Sequence, residues 1–410
     1  MIHDPIKHLN FLRQTLSQDK RPLGFFISAG CPLAVKLPDD QWPLIPDVAG
    51  LTKFVAEELG SKDGEDKNSF DKLIEELVLS EKNPENIEDV LSFIRSMKVV
   101  ATGNEVRGFN LESLEKIEKD ICEKIVSKLN VDLPTEDTPY HKLAQWISLD
   151  RSVPIEVFTT NYDLLAEQAF EELAIPYFDG FVGSRQSFFD LRAVEDDLIP
   201  NHWTRLWKIH GSINWFQKKN KDVYRTTRTD EINGSHLIYP SHLKYDQSRK
   251  MPYLALIDKL SKFLKQSNSI MIMTGYSFND DHLNDTILNA LKANPNTMVI
   301  AMLFGNLTTQ EPDGNKKENY PNAIKLAKSR SNLSIWGKDE AIIGTVRAKW
   351  DVLNEFIEEY NLANSITIET EAVDGANDIK TYKMNLGDYS KLGDFLQALI
   401  GYNQTNFDEN

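Results

Sequence analysis

Four short segments have residue types suited to ligand binding or catalysis, because each places small or polar residues at the end of a predicted buried strand. They are residues 28–30 (Ser-Ala-Gly), 159–163 (Thr-Thr-Asn-Tyr-Asp), 208–212 (Lys-Ile-His-Gly-Ser) and 274–280 (Thr-Gly-Tyr-Ser-Phe-Asn-Asp). Ligands of doubly wound sheets bind beyond the carboxyl ends of the strands. The small residues of 28–30 would let a backbone approach a pyrophosphate. The sequence therefore predicts a ligand site assembled from four strand ends.

Each segment alone is open to a structural interpretation. The polar run at 159–163 is longer than one helix cap requires, which favours a functional role, although Asn and Asp are also preferred N-caps. His210 could titrate near neutrality, and Gly211 permits close approach of a ligand, but a histidine after a strand is often structural. Segment 274–280 is equally compatible with a nucleotide contact and with a loop that ends in a helix cap.

The predicted secondary structure around these segments alternates between strand and helix. Apolar runs predict strands at 24–30, 155–159, 206–209, 237–239, 269–274, 297–304 and 332–336. Helices are predicted at 51–60, 162–174, 254–264, 281–291 and 323–327. Apolar strands separated by amphipathic helices are typical of a parallel sheet with helices on both faces, so the fold class is α/β.

Two regions depart from this alternation. Residues 61–150 carry three amphipathic helices with acidic outer faces, near 70–77, 87–94 and 111–129, and form a predicted helical insertion. Residues 346–410 form a predicted small α+β region of helix, hairpin and helix, with strands at 366–370 and 379–384, a turn at 374–378 and a helix at 392–399. Residues 1–60 and 151–345 make up the α/β domain.

Composition excludes several classes of protein. The 62 acidic and 46 basic residues give a formal net charge of −16, which argues against nucleic-acid binding. No apolar run approaches the ~20 residues of a membrane helix, and the N-terminus lacks the features of a signal peptide. The two cysteines, in no C-x-x-C pair, exclude a zinc ribbon and suit a reducing compartment. We therefore expect a cytoplasmic protein without zinc.

The ordered set of motifs resembles the sirtuin signature. That family carries Gly-Ala-Gly, Ile-Pro-Asp, Gln-Asn-Ile-Asp, His-Gly and Gly-Thr-Ser. This chain carries, in the same order, Ser28-Ala29-Gly30, Ile45-Pro46-Asp47, Thr160-Asn161-Tyr162-Asp163, His210-Gly211 and Gly275-Tyr276-Ser277. The resemblance spans residues 20–60 and 150–305, and it implies a Rossmann-like NAD-binding domain.

The resemblance also implies roles for individual residues. Asn161 would position the reacting water or ribose, and His210 would act as general base on the ribose hydroxyls. Asp163 would accept a hydrogen bond from the nicotinamide carboxamide, and Asp47 would lie over the nicotinamide-side ribose. Ala29 and Gly30 would lie against the pyrophosphate, and Ser277 would contact the phosphate or ribose of the adenosine half. The remaining implied NAD-binding residues are Ser28, Thr160 and Gly275.

Departures from the family narrow the expected activity. The chain lacks the four cysteines of the zinc module, and Val48-Ala49 replaces the usual Phe-Arg, which counts against protein deacylation. Cleavage of the nicotinamide–ribose bond by water would instead give nicotinamide and ADP-ribose. The chain is similar to the sirtuin-like NADases of bacterial anti-phage defence, in particular to the subunit that works with a HerA-type ATPase.

That similarity implies a homo-oligomer that joins the ATPase and depletes NAD. Two alternatives remain open: a non-catalytic module that binds NAD or ADP-ribose, and a zinc-free deacylase.

Overall fold

The computed structural model describes residues 2–62, 66–227, 234–238, 251–312, 314–352, 358–371 and 378–401. The helices are α1 Pro5–Leu16, α2 Val48–Leu59, α3 Ser69–Leu79, α4 Ile87–Val100, α5 Leu111–Leu129, α6 Pro139–Ile147, α7 Leu165–Glu172, α8 Leu191–Glu195, α9 Tyr253–Lys265, α10 Asp281–Ala293, α11 Pro321–Ser329 and α12 Tyr389–Leu399.

The strands are β1 Leu23–Ile27, β2 Glu156–Thr159, β3 Tyr177–Phe178, β4 Phe181–Val182, β5 Ser187–Phe189, β6 Thr204–Lys208, β7 Gly211–Gln217, β8 Val223–Arg225, β9 Ser235–Ile238, β10 Ile270–Thr274, β11 Met298–Met302, β12 Thr308–Gln310, β13 Lys316–Glu318, β14 Leu333–Trp336, β15 Glu340–Ile343, β16 Val346–Lys349, β17 Ile366–Glu371 and β18 Ile379–Met384.

A nine-stranded sheet forms the centre of the fold, in the order β16-β15-β14-β11-β10-β1-β2-β6-β3. The strands from β14 to β3 are parallel, and β15 and β16 extend one edge antiparallel. Every residue of β1 and β10 is buried, as expected for central strands covered on both faces. Their continuous apolar sequences are thus explained by their place in the sheet.

Helices cover both faces of this sheet. Because successive residues of a strand point to opposite faces, neighbouring side chains of β1 lie in different cores. Phe25 of β1 lies in a core with α1 to α7 and α12, whereas Phe26 lies in a second core with α8 to α11. The predicted α/β class with a parallel sheet between two helical layers is confirmed.

The insertion contains the three predicted helices, α3, α4 and α5, followed by α6, which the sequence analysis did not predict. α3 begins with a capping box in which Asn68 and Asp71 satisfy each other's backbone N–H groups. α2 packs against α4 and α5, so the insertion is continuous with the helical layer beside β1.

The predicted division at residue 345/346 falls inside a hairpin. Ile343 pairs with Val346, and Gly344 and Thr345 both have positive φ (57° and 73°), as in the two-residue turns that suit hairpins. Where a helix was predicted to begin the C-terminal region, the described residues instead form β16 of the large sheet; residues 353–357 lie outside the described part. The hairpin β17–β18 and helix α12 follow as predicted, and the turn residues 374–377 are also not described.

A second, antiparallel sheet has the order β4-β5-β8-β7-β9 and was not predicted. The strand predicted at 237–239 belongs to it rather than to the parallel sheet, and Tyr239 lies outside the described residues. None of the described helices has the length and apolar character needed to cross a membrane.

Candidate active site

Four neighbouring parallel strands, β10, β1, β2 and β6, end at the same level. The register aligns Thr274, Ile27, Thr159 and Lys208 as their last residues. The chain continues from β1 to β2 on one side and later returns to β10 on the other. This reversal beside β1 is the topological switch point where open α/β sheets bind ligands. All four predicted segments start here.

The ends of β1 and β2 contact each other through polar groups. The Ser28 and Thr160 hydroxyls are 2.6 Å apart, and the Asn161 side-chain N–H donates to the Ser28 carbonyl at 3.4 Å. The Asn161 backbone N–H donates to the Thr159 hydroxyl at 3.0 Å. Asn161 is buried, so these contacts hold its amide in one orientation.

The turns after β1 and β10 approach closely because both contain glycine. The Gly30 N–H donates to the Gly275 carbonyl at 3.0 Å. A Cβ on Gly30 would lie 2.8 Å from the Gly275 Cα, and a Cβ on Gly275 would lie 2.7 Å from the Cys31 nitrogen. Gly275 also has a φ of 68°, which favours glycine. These glycines therefore have a packing requirement in addition to any contact with a ligand. Ala29, which precedes Gly30, is half-buried.

Asp163 lies buried at the start of α7 beside a buried lysine. Its carboxylate accepts from the Leu165 N–H at 3.1 Å. Lys208 donates to the Asp163 backbone carbonyl, and to the Glu167 carboxylate at 2.8 Å. Burial raises the pKa of Asp163 to about 6, against the opposing charge of Lys208. Asp163 is therefore ionised at neutral pH and able to accept hydrogen bonds.

His210 lies two residues beyond β6, 3% exposed and between two carboxylates. Its Nε2 is 3.2 Å from the Asp280 Oδ2, and its Nδ1 is 3.9 Å from the Glu88 Oε1. Burial by itself would lower the pKa of His210, but Asp280 and Glu88 outweigh it and the net shift is upward. The two carboxylates thus favour the protonated imidazole.

The sequence did not predict that either carboxylate faces His210. Asp280 was included in segment 274–280, where a helix cap was one of the two interpretations. It does cap α10, since its Oδ1 accepts from the His282 and Leu283 N–H groups, while its Oδ2 faces His210. Glu88 is one of many acidic residues on the insertion, and only the fold reveals that it faces the site.

Asn161 and His210 lie at the same edge, on loops that leave the adjacent strands β2 and β6. Tyr162 connects them: it follows Asn161 in the chain, and its ring lies 6.4 Å from the ring of His210. The Tyr162 hydroxyl donates to Glu88 at 2.9 Å. The structure therefore brings both predicted catalytic residues to one edge of the sheet.

The other two predicted NAD contacts have exposed side chains. Asp47 is the N-cap of α2, where its carboxylate accepts from the Gly50 N–H at 2.8 Å. Ser277 lies in the loop between β10 and α10. Their contacts with a ribose and a phosphate remain predictions.

The donor groups offer little to a metal ion. In the described part of the chain, no group of three or more His, Cys, Asp or Glu side chains is arranged to hold one. Cys31 and Cys122 are free and buried. Burial raises the pKa of Cys31 to about 12, so this thiol beside the switch point is neutral.

A cavity of about 660 Å³ lies away from His210, along α7 and the second sheet. The three carboxylates that line it from α7 already have partners. Glu167 pairs with Lys208, Glu171 accepts from the Tyr177 hydroxyl, and Glu172 accepts from the Gln168 side chain. The buried, converging groups lie instead at the strand ends, and we assign the candidate active site there.

Comparison with known proteins identifies one family domain in the chain. Residues 155–326, from the start of β2 to α11, match the family model of the SIR2-like domain. This span includes Asn161, His210 and Gly275 but covers less than half of the chain. A SIR2-like domain indicates NAD-dependent activity.

Among solved structures, the chain is similar to one from work on the mechanism and regulation of Sir2 enzymes. The match has 12% sequence identity and a TM-score of 0.33, and it covers 75% of this chain and 86% of the other. No curated protein matches the chain.

Proposed function

We propose that this chain is an NAD⁺ glycohydrolase that cleaves the nicotinamide–ribose bond to give nicotinamide and ADP-ribose. One observation carries the proposal: Asn161 and His210 are buried at the ends of neighbouring parallel strands, beside the topological switch point. Both residues lie within the span that matches the SIR2-like domain.

The chemistry of this bond suits the residues present. Cleavage builds positive charge on the ribose, as in glycoside hydrolysis, and nicotinamide leaves as a neutral molecule, so no strong acid is needed. The Asn161 amide, held by the Ser28 carbonyl, orients the ribose or the attacking water. Asp163, ionised above about pH 6, accepts from the carboxamide of the leaving nicotinamide.

His210 completes the proposed machinery as a general base. It removes a proton from a ribose hydroxyl or from the attacking water, which requires the neutral imidazole. Properly placed bases contribute about 10²–10⁴-fold to rate. Because the two carboxylates favour the charged form, activity is expected to rise with pH until His210 is deprotonated.

The test is release of nicotinamide and ADP-ribose from NAD⁺ by the purified full chain, followed by chromatography. Asn161→Ala and His210→Ala should each lower turnover by at least about 100-fold. The matched controls are Asn201→Ala and His202→Ala, at exposed positions, which should retain activity. Circular dichroism confirms that each variant is folded.

Full activity in Asn161→Ala or His210→Ala would refute the assignment. Tight NAD binding without turnover in any preparation would favour the non-catalytic binding module. Turnover that depends on an acylated peptide would favour the zinc-free deacylase.

We further propose that the chain forms a homo-oligomer with a HerA-type ATPase and depletes NAD in anti-phage defence. This proposal rests on the sequence resemblance alone. Light scattering on the chain with and without the ATPase, followed by the NADase assay on each species, tests it; failure to co-elute would refute the partnership.

A further inference from the structure

The two carboxylates around His210 come from different parts of the fold. Asp280 follows β10, whereas His210 follows β6, three strands away in the sheet. At about 4.8 Å per strand this is a distance of about 14 Å, so segment 275–280 crosses the ends of β1 and β2 to reach the histidine. Glu88 approaches from the opposite side, on α4 of the insertion.

Asp280 is held rigidly. Its Oδ1 accepts two backbone N–H groups of α10, at 2.9 and 3.1 Å, and its Oδ2 lies 3.2 Å from the His210 Nε2. The contact is an ion pair rather than an aligned hydrogen bond, because neither the His210 Nε2 nor the Asp280 Oδ2 has a partner with hydrogen-bond geometry among the described residues. The charge of an anchored carboxylate at this distance favours a proton on the facing nitrogen. His210 then has Nδ1 as the nitrogen that can accept a proton from substrate.

Glu88 faces this same Nδ1, but more loosely. The separation of 3.9 Å exceeds that of a hydrogen bond, and the Glu88 side chain is 16% exposed, against 9% for Asp280. The Tyr162 hydroxyl donates to Glu88 at 2.9 Å and gives the carboxylate a second partner. Glu88 can therefore leave Nδ1 without being left unpaired.

Other titratable groups also surround the cluster. Burial raises the pKa of three nearby tyrosines, and the charges of Asp280 and Glu88 raise it further. The tyrosines are Tyr162, Tyr253 and Tyr276. Arg95 lowers the pKa of Tyr162, and Asp281 raises that of Tyr276. Because the phenols are neutral, Asp280 and Glu88 are the charges that govern His210.

We propose that Asp280 is the positioning residue of His210, and that Glu88 is a displaceable partner that occupies Nδ1 until a substrate hydroxyl takes its place. Both carboxylates favour the doubly protonated ring, and that form cannot act as a base. When Glu88 withdraws, the charged ring loses one of its two anionic partners, the Nδ1 proton passes to solvent water, and Nδ1 becomes available. The helical insertion thus contributes a side chain that restrains the catalytic base, an inference that rests on the proposed NAD cleavage.

The experiment compares Glu88→Gln and Asp280→Asn in the full chain. Gln keeps an acceptor for Tyr162, and Asn keeps the Oδ1 that caps α10, so each variant removes charge with little change in shape. Glu85→Gln, in the turn before α4, and Asp281→Asn, at the start of α10, are matched controls at exposed positions near the two substituted residues. Two quantities are measured: NADase kinetics against pH, and the titration of the His210 ring by NMR, identified by comparison with His210→Gln.

For Glu88→Gln we expect the His210 midpoint and the acid limb of kcat/KM to move together to lower pH. KM for NAD should fall by about two- to fivefold, the range of one weak ion pair, with kcat preserved. For Asp280→Asn we expect kcat to fall by about 100-fold or more with little change in KM, because the ring is no longer oriented.

Two results would overturn the proposal: an unchanged His210 titration in either variant, or a loss of kcat in Glu88→Gln as deep as that in Asp280→Asn. Absence of NADase activity in every preparation would refute the proposed function and the roles assigned here. The NMR titration would still report whether the two carboxylates hold the proton on His210, so the two failures are distinguishable.

Discussion

Asp163 provides a quantitative test of the electrostatics of the site. The carboxyl is buried and its pKa is about 6, against an ordinary value of 3.8. Between these two pH values the folded chain binds more protons at this residue than the unfolded chain does. The contribution of Asp163 to the free energy of unfolding must therefore fall as pH rises through this window.

The magnitude follows from the two pKa values. Each unit of difference corresponds to about 1.36 kcal/mol, so the complete effect is about 3 kcal/mol. Most of it lies below pH 5, where other carboxyl groups also titrate. Between pH 5 and pH 8 the contribution of Asp163 to the free energy of unfolding falls by about 1.4 kcal/mol.

Asp163→Asn removes the titration and keeps the oxygen that accepts from the Leu165 N–H. Relative to wild type, the variant should gain about 1.4 kcal/mol between pH 5 and pH 8, measured by urea unfolding at four pH values. Asp40→Asn, at an exposed position, is the control and should show no such gain. A pH-independent difference between Asp163→Asn and wild type would refute the reasoning.

Two further predictions concern packing and buried charge. Gly275→Ala should destabilise the fold by about 2–5 kcal/mol, since it combines a left-handed backbone with contacts under 3 Å. Gly305→Ala has a similar φ of 73° but no atom within 4 Å of the added Cβ, so it should cost only about 1–2 kcal/mol; equal losses in urea unfolding would argue against a close approach at Gly275. Lys208→Met should cost about 3–5 kcal/mol because it leaves Glu167 buried and unpaired. Adding Glu167→Gln should restore part of that loss, and a purely additive double variant would contradict the pairing.

The sequence predicted the α/β class and most central elements because their signals are local. A continuous apolar run, as in β1 and β10, reports burial on both faces wherever the strand lies in the sheet. The polar residues that follow such runs must lie at the carboxyl edge. For this reason the sequence alone predicts that the segments containing Asn161 and His210 lie at the same edge of the sheet.

Short strands were not predictable in the same way. The second sheet consists of segments such as Phe181–Val182 and Val223–Arg225, too brief for a periodic pattern. Strand β16 likewise depends on the turn at Gly344 and Thr345 and on pairing with β15, which local apolar periodicity does not report. Pairing partners, rather than intrinsic preference, make these residues strands.

Local composition and periodicity were sufficient to predict a set of strand ends that carry an asparagine, an aspartate and a histidine. They could not predict which charges face these residues, because those charges come from distant parts of the chain. Asp280 reaches His210 across two intervening strands, and Glu88 reaches it from a helix more than 120 residues away in the chain. The protonation state of a buried imidazole depends on its distances to such charged groups, and the folded structure sets those distances.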